Sequence, residues 1–363
     1  FFNLLILMNL YLCKKYNIMS LELLLPNNIT SGYESKENIF NVKYEKGFPF
    51  QGFTGQGVSL ITSNSTTCHA LRNNLANFNN HFRNITIYDL GSIKDLSDAA
   101  IFSLTNYLNE LHIIPVFTGI NIKFAGALAV ENSSKITLIS NHLELIEYKN
   151  TITNVNHIAY QRHLCSLNDI YEIEENMYNA LSLGKMRSHP SLLEPILRDT
   201  EVLYVNLDCM RNADAPDIKG CLPTGLNSEE LCQIMKNVGT ADNLKAVFID
   251  YQLNSNQYDV EANLIAEAIW YFMEGANMNL KDHPSYSSDF SSFIVHSENL
   301  GMDLQFIKNN LTAKWWLRHV MTGRDNIYLA CSYDEYQLSV GEEVPERLVK
   351  FIQAHDYTDN LNS

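Results

Sequence analysis

The chain lacks the features needed to work on nucleic acid or to carry phosphate on a loop. Lysine and arginine number 26 against 41 aspartates and glutamates, and no long basic block interrupts the acidic excess. A net charge of −15 and a sequence pI of about 5.1 argue against a polyanionic partner, whose phosphates need a positive field. No GxxxxGK[ST] phosphate loop and no GxSxG elbow of a serine hydrolase occur. The glycine-rich GFTGQG at 52–57 precedes the first strand-like run, whereas a dinucleotide-binding turn follows its strand and opens a helix; it reads as a loop. Cysteine is scattered at positions 13, 68, 165, 209, 221, 232 and 331 and never forms CxxC. That odd set implies free thiols in a reducing compartment, not a disulfide framework or a zinc ribbon.

Long apolar runs are missing too. The strongest, in FFNLLILMNLYLCKKYNI, holds about 12 apolar residues, fewer than a membrane span needs. Its positive charges follow the apolar run, the reverse of a signal peptide. Residues 1–18 are therefore expected to lie outside the folded domain, with Met19 as its start, and the minority reading is a short membrane anchor. Sequons such as Asn84-Ile85-Thr86 carry no weight without secretion in so asparagine-rich a chain. The location expected is cytoplasmic, with no membrane and no nucleic-acid partner.

What is present suits a globular core, with 46% hydrophobic and 18% charged residues. Short apolar runs recur: VSLITS (58–63), ITIYDLG (85–91), IIPVFTG (113–119), KITLIS (135–140), HIAYQ (157–161), EVLYVNLD (201–208), AVFIDYQ (246–252) and NIYLACS (326–332). They are apolar on both parities, as strands buried on both faces must be. Helical patterns lie between them. One, over 95–112, has apolar residues at 101, 104, 108 and 111 and Ser97 as N-cap. Another, over 260–275, is expected to end at Gly275.

This alternation predicts an α/β fold with helices on both faces of an eight-stranded, mainly parallel sheet. Long irregular insertions at 162–200 and 276–325 favour an open sheet over a closed barrel. One domain over 19–355 with a tail at 356–363 is expected, and NIYLACS is taken as the eighth strand.

Ligands of open α/β sheets sit beyond the carboxyl ends of the strands. That places the candidate chemistry at Gly119-Ile120-Asn121, Ser140 to Glu144, Asp208 to Asp214 and Asp250. In TLISNHLELIEY (137–148), a strand-like run leads to Ser140, His142 and Glu144 at alternating positions, where acids flanking a histidine could grip a divalent cation. Each has a bland reading. His142 and Glu144 could be a hydrogen-bonded polar strand end, Asp208 could cap its turn, and Asp250 could be a solvated strand-end acid. The NADAPD stretch reads first as a turn. Trp315 and Trp316 read as core, and Cys209 as a small buried hydrophobe more than a nucleophile.

Taken together, IIPVFTGINIKFAGALA, TLISNHLEL, YVNLDCMRNADAPD, DVEANLIAEAIWYF and IYLACSYDEYQLSVGEEVPERLVKF resemble, in order and spacing over roughly 55 to 352, the ureohydrolases (arginase, agmatinase and formimidoylglutamase), and look closest to the arginase-like proteins of Bacteroidota. The resemblance implies a three-layer α/β/α fold and two metal ions, usually manganese, at the carboxyl edge of the sheet. It implies ligands from a GG-x-H turn, a D-x-H-x-D strand end and a D-x-D strand end. Matched residue by residue, the first histidine falls on Ile122, with Asn121 before it. The leading acid of the second motif falls on Ser140, its histidine on His142 and its last acid on Glu144. The third motif keeps Asp208 but has Met210 in its second place. The acid on the following strand, which in the family holds the substrate's amidine, falls near Asp250. The histidine-bearing substrate loop has no counterpart in IEYKNTITNVN.

Isoleucine has no donor atom, and thioether sulfur suits soft metals, so Ile122 and Met210 cannot serve a hard cation. Two cations a few ångströms apart need several carboxylates, and His142, Glu144 and Asp208 are too few to hold such a pair. The leading expectation is a degenerate ureohydrolase relative with a structural or interaction role and no cofactor. The alternatives are a one-metal hydrolase of linear amidines holding a single weak Mn2+, and a small-molecule binding module. Self-association or a protein partner is expected.

Overall fold

The computed structural model describes residues 24–25, 43–44, 56–63, 67–82, 85–93, 96–143, 154–255, 259–320 and 325–362. The expected leader 1–18 lies outside them, as do Glu144 and most of the 52–57 loop.

Ten strands form the main sheet. In chain order they are β1 (Leu24–Leu25), β2 (Lys43–Tyr44), β3 (Gly57–Thr62), β4 (Thr86–Ile93), β5 (Ile113–Thr118), β6 (Ile136–Ile139), β7 (Val155–Tyr160), β8 (Asn179–Ser182), β9 (Val202–Asn206) and β10 (Ala246–Asp250). Their spatial order is β1-β4-β3-β5-β10-β9-β6-β7-β8, with β2 also on β4. The eight from β3 to β10 run parallel, as the sequence pattern predicts.

Neighbouring residues on one strand feed different cores. Val116, Leu203, Val205, Val247 and Ile249 enter one cluster, with α1 (Thr67–Asn77), α7 (Ser228–Gly239) and α8 (Asp259–Met278) on that face. Phe117, Val202, Tyr204, Ala246 and Phe248 enter the other, beneath α2 (Asp98–Glu110) and α3 (Ile122–Glu131). This explains why the strands read as apolar on both parities. Across the register pair Phe117–Phe248 the rings stack with centroids 4.8 Å apart. Ser97 caps α2 by accepting from the Ala100 N–H, as its sequence position implies.

Three expectations are corrected. The eighth parallel strand is β8, inside the stretch read as irregular, not residues 326–332. Of its four residues only Leu181 is fully buried, so as a short edge strand it carries no apolar run to announce it. Helix α8 does not stop at Gly275 but continues to Met278. Gly275 and Gly239 instead mark where α8 crosses α7: a Cβ on Gly275 would lie 1.9 Å from the Lys236 carbonyl oxygen, so only glycine admits so close a crossing. Finally, the stretch 276–325 is not irregular. It supplies β11 (Phe290–Ser297), β12 (Met302–Asn309) and β13 (Trp315–His319), which with β14 (Ile327–Cys331) make a second, antiparallel sheet in the order β11-β12-β13-β14. Residues 326–332 thus belong to this sheet.

One face of the second sheet (Val295, Leu304, Phe306, Trp315, Leu317) packs under Leu348, Phe351 and Ile352 of α10 (Glu346–Asn362), beside α9 (Tyr333–Val340). The two tryptophans are core, as expected, at 6% and 1% exposure. Arg198, at the end of α6 (Leu193–Arg198), joins the two sheets: its guanidinium lies 4.4 Å from the Trp316 ring centroid and donates to the carbonyls of Trp315 and Cys331. Among the described residues no helix is long and apolar enough to cross a membrane.

Candidate active site

The chain passes from β5 through α3 to β6, crossing over β10 and β9, so the sheet has a switch point there, and the carboxyl ends of all four strands lie side by side. The four sequence segments singled out above end on these strands.

The first segment is shaped by backbone needs. Gly119 has φ +72°, donates its N–H to Ile249 O at 2.8 Å, and has no room for a Cβ beside the Ser63 hydroxyl. Asn121 is the N-cap of α3, accepting from the Lys123 N–H at 2.8 Å. Ile122 then starts the helix and packs partly buried against the second core. Its side chain belongs to the core, not to a ligand shell.

The second and third segments are tied together. After β6, Ser140 is buried and its hydroxyl donates to the His142 carbonyl. Asn141 is 6% exposed and spans to the turn after β9: its side-chain N–H₂ donates to Asp208 O at 3.0 Å and to Gly220 O at 3.4 Å, and its backbone N–H reaches Asp208 Oδ1 at 3.4 Å. With the Asn141 amide nitrogen so engaged, its Oδ1 faces His142 Nδ1 at 2.7 Å, which places the imidazole proton on Nδ1. The same Nδ1 lies 3.5 Å from Asp208 Oδ2. Asn206, the last residue of β9, donates to Asp208 Oδ2 at 3.0 Å and accepts the Asp208 N–H at 3.2 Å. Gly220, at φ +95°, comes close enough that a Cβ would sit 3.2 Å from Asp208 Cβ. Asp208 is thus the hub of a polar knot joining two strand ends. It does not cap its own turn; Asn206 does.

Met210 is fully buried in the first core and bridges to Leu226. Asp250 ends β10 and accepts from the Tyr204 hydroxyl at 2.9 Å, so it is not merely solvated. Cys209 is buried beside Asp208, and burial first, then that carboxylate, push its thiol well up. The same two causes push Cys221 up to about 12, and its thiol donates to Leu207 O at 3.3 Å. Neither is a thiolate nucleophile at neutral pH. The Asp214 carboxyl is held below the usual range, chiefly by its hydrogen bond from Arg211, as a turn-locking pair.

The structure therefore brings His142 and Asp208 together, with Ser140 beside them, and buries Met210 and Ile122 in packing. Glu144 falls outside the described residues. Among the described residues, no group of three or more His, Cys, Asp or Glu side chains is placed to hold a metal ion. The described side chains around His142 and Asp208 do not fit a manganese pair: Ile122 is a hydrocarbon, Met210 offers only a thioether, and the Ser140 hydroxyl already donates to a carbonyl. Sequence reasoning held Asn141 only as part of the Ser140 to Glu144 stretch, with no role, and missed Asn206 and Gly220. Their only signal was adjacency to His142 and the N-x-D spacing before Asp208.

No family model and no curated protein matches the chain. Solved structures do. Formimidoylglutamase from Bacillus subtilis is similar at TM-score 0.57 and 14% identity, covering 74% of this chain and 99% of that one. Formiminoglutamase from Trypanosoma cruzi, solved with Mn2+, is similar at TM-score 0.54 and 12% identity, covering 62% and 94%. Agmatine ureohydrolase of Thermoplasma volcanium gives 0.50 and 11%, covering 74% and 99%. At such identities the likeness is one of fold. The chain has the fold of the arginase-superfamily ureohydrolases.

Proposed function

We propose that this protein is a non-hydrolytic relative of the ureohydrolases, in which the strand-end metal site has become a structural knot and the fold serves an interaction role. The observation that carries the reading is the hydrogen bonding of Asp208. Its carboxylate accepts from Asn141 and Asn206 and sits beside the Nδ1–H of His142, so the hub group is occupied by protein donors. Ser140, Ile122 and Met210 are the lost ligand positions, and each is used in packing or a local hydrogen bond. Among the described residues no group of three acids, histidines or cysteines stands here to hold a second divalent ion beside a first, and two uncompensated cations repel strongly.

A second reading has one observation in its favour. The His142 imidazole, 41% exposed, is oriented through Nδ1 and paired with Asp208 at 3.5 Å, as an oxygen accepting from the far ring nitrogen orients a metal-binding histidine. With Glu144 it would make a one-metal site for hydrolysing a C–N bond of a linear amidine, with Asp250 near the substrate. One experiment separates the two. Protein purified without chelators is titrated with manganese while metal content and the release of urea, ammonia and formamide from arginine, agmatine and formimidoylglutamate are followed. The non-hydrolytic reading expects sub-stoichiometric metal and no turnover. Turnover that scales with manganese and vanishes in Asp208→Ala would establish the hydrolase.

A further inference from the structure

The second sheet has two edges, and they are treated differently. The outward carbonyls of β14 are taken by cations: Lys135 Nζ reaches Tyr328 O at 3.4 Å and Arg347 Nη2 reaches Ala330 O at 2.7 Å. That edge is sealed. The other edge is β11, which pairs with β12 along all eight of its residues. Among the described residues only the Phe290 N–H is engaged on its outer side, by Ser288 O at 3.2 Å just before the strand, and the groups from Ser292 to His296 face outward. An open strand edge presents a row of unpaired N–H and C=O groups, and proteins normally guard it with lysine, proline, a bulge or inward charge. The β11 sequence, Phe-Ser-Ser-Phe-Ile-Val-His-Ser, contains no lysine, acid, proline or glycine, and its register with β12 is unbroken.

Both faces of this edge offer apolar contact. Ile294 projects at 70% exposure on one side. On the other, Phe293 packs against Tyr336 of α9, with ring centroids 5.7 Å apart, so a helix flanks the strand. The ends are acidic. Asp289 precedes the strand and Glu298 follows it, both exposed, and Asn299 bonds to the Glu342 carbonyl, bringing exposed Glu342 and Glu343 to the hairpin tip.

Charge decides between occupants. Pairing two copies along β11 would gather the exposed acids Asp289 and Glu298 of both chains at one short seam, where their like charges repel. Each copy also carries −15. An extended peptide with basic ends meets the same acids favourably. We propose that the outer edge of β11 is a docking site for an extended peptide segment of a partner protein, with lysine or arginine at its ends and alternating apolar residues at its centre, which adds a fifth strand to the second sheet beside α9. Main-chain hydrogen bonds supply the binding, and Ile294 and Phe293 sort the side chains. The proposal gives the interaction role a surface, and it stands whether or not the strand-end site is catalytic.

The test is fluorescence polarisation of the full chain with a short labelled peptide whose Val-Thr-Ile-Thr-Val centre lies between paired lysines. No metal or activity enters the measurement. Saturable binding is expected, about tenfold weaker when paired glutamates replace the lysines and about tenfold weaker for Ile294→Lys, an exposed change that leaves the fold intact by circular dichroism. Asp289→Asn combined with Glu298→Gln should weaken the lysine peptide and flatten its salt dependence. On binding, β11 amides should gain protection from hydrogen exchange. No saturable binding, equal binding of the glutamate peptide, or Ile294→Lys binding like the parent would overturn the proposal. So would a peptide-free dimer that Ile294→Lys dissociates, since the edge would then belong to a second copy.

Discussion

The two sheets of this protein bury themselves by opposite means. The parallel strands β5, β9 and β10 are covered on both faces, so apolar residues occupy most of their positions. The antiparallel strand β11 alternates exposed and covered residues along its second half, and its sheet is filled by aromatic rings, with Trp315 and Tyr336 stacked at 4.4 Å. The first sheet holds by layers and the second by an aromatic cluster, joined by a few side chains of which Arg198 is the most deeply buried. The difference teaches where the molecule should yield: the layered body through its helix crossing, the aromatic unit through its attachment.

The largest effect expected is at that crossing. Gly275→Val drives methyls into the Lys236 carbonyl, and the loss should be about 4 kcal/mol or more, read as a collapse of the urea midpoint. A tolerated valine would show that α7 and α8 part easily and would break the contrast.

Next comes the joint. Arg198→Met removes two carbonyl contacts and the stacked cation over Trp316, for a loss of about 3 kcal/mol. In a Trp270→Phe background, the remaining tryptophans, 315 and 316, report only the second sheet. Their fluorescence midpoint should then fall below the circular-dichroism midpoint, whereas in the parent the two should coincide.

A smaller effect is expected from pH. His283 lies between the sheets, its ring 6.2 Å from Trp316 and 5.7 Å from Tyr328, with Asp199, Lys135, Asp242 and Arg198 around it. Burial, the largest cause, depresses its pKa. The folded state therefore favours the neutral ring, and its contribution is fully present above the ordinary histidine value of about 6.5. It is lost as pH falls from there through the folded value. Urea midpoints should decline across that window, and His283→Phe should flatten the decline. A slope unchanged by the substitution would remove His283 from the joint.

The smallest effect is at the knot. Asp208→Asn keeps one acceptor and should cost about 1 kcal/mol, with no change in manganese uptake. A loss of bound metal in that variant would instead favour the hydrolase.

Much of the body was legible in the sequence because two-sided burial leaves a strong trace: VSLITS, IIPVFTG, EVLYVNLD and AVFIDYQ are all strands of the parallel sheet. Asn179–Ser182 was not, since an edge strand with one buried residue has no such trace. NIYLACS read correctly as a strand but was assigned to the wrong sheet, because a short apolar run does not say which partner it joins. Gly275 resembled a helix stop, and only the crossing of a second helix explains it as a contact. At the site, the strand ends were found from the rule that ligands lie beyond them, with Asp208 and His142 in place. The bridging by Asn141 was not, because asparagine at a strand end looks like ordinary turn chemistry until its partners across the sheet are known.

Because adjacent residues of each central strand serve different cores, distance along the chain is a poor guide to energetic dependence. Val247 and Phe248 are covalent neighbours, yet each packs with a separate set of helices. Truncating both should give nearly additive losses. Phe248 and Phe117 stand far apart in the chain with rings in contact, and their double truncation should depart from the sum. The sheet thus acts as an insulator between two independently adjustable interiors, so residues could be exchanged on one side while the other kept its packing.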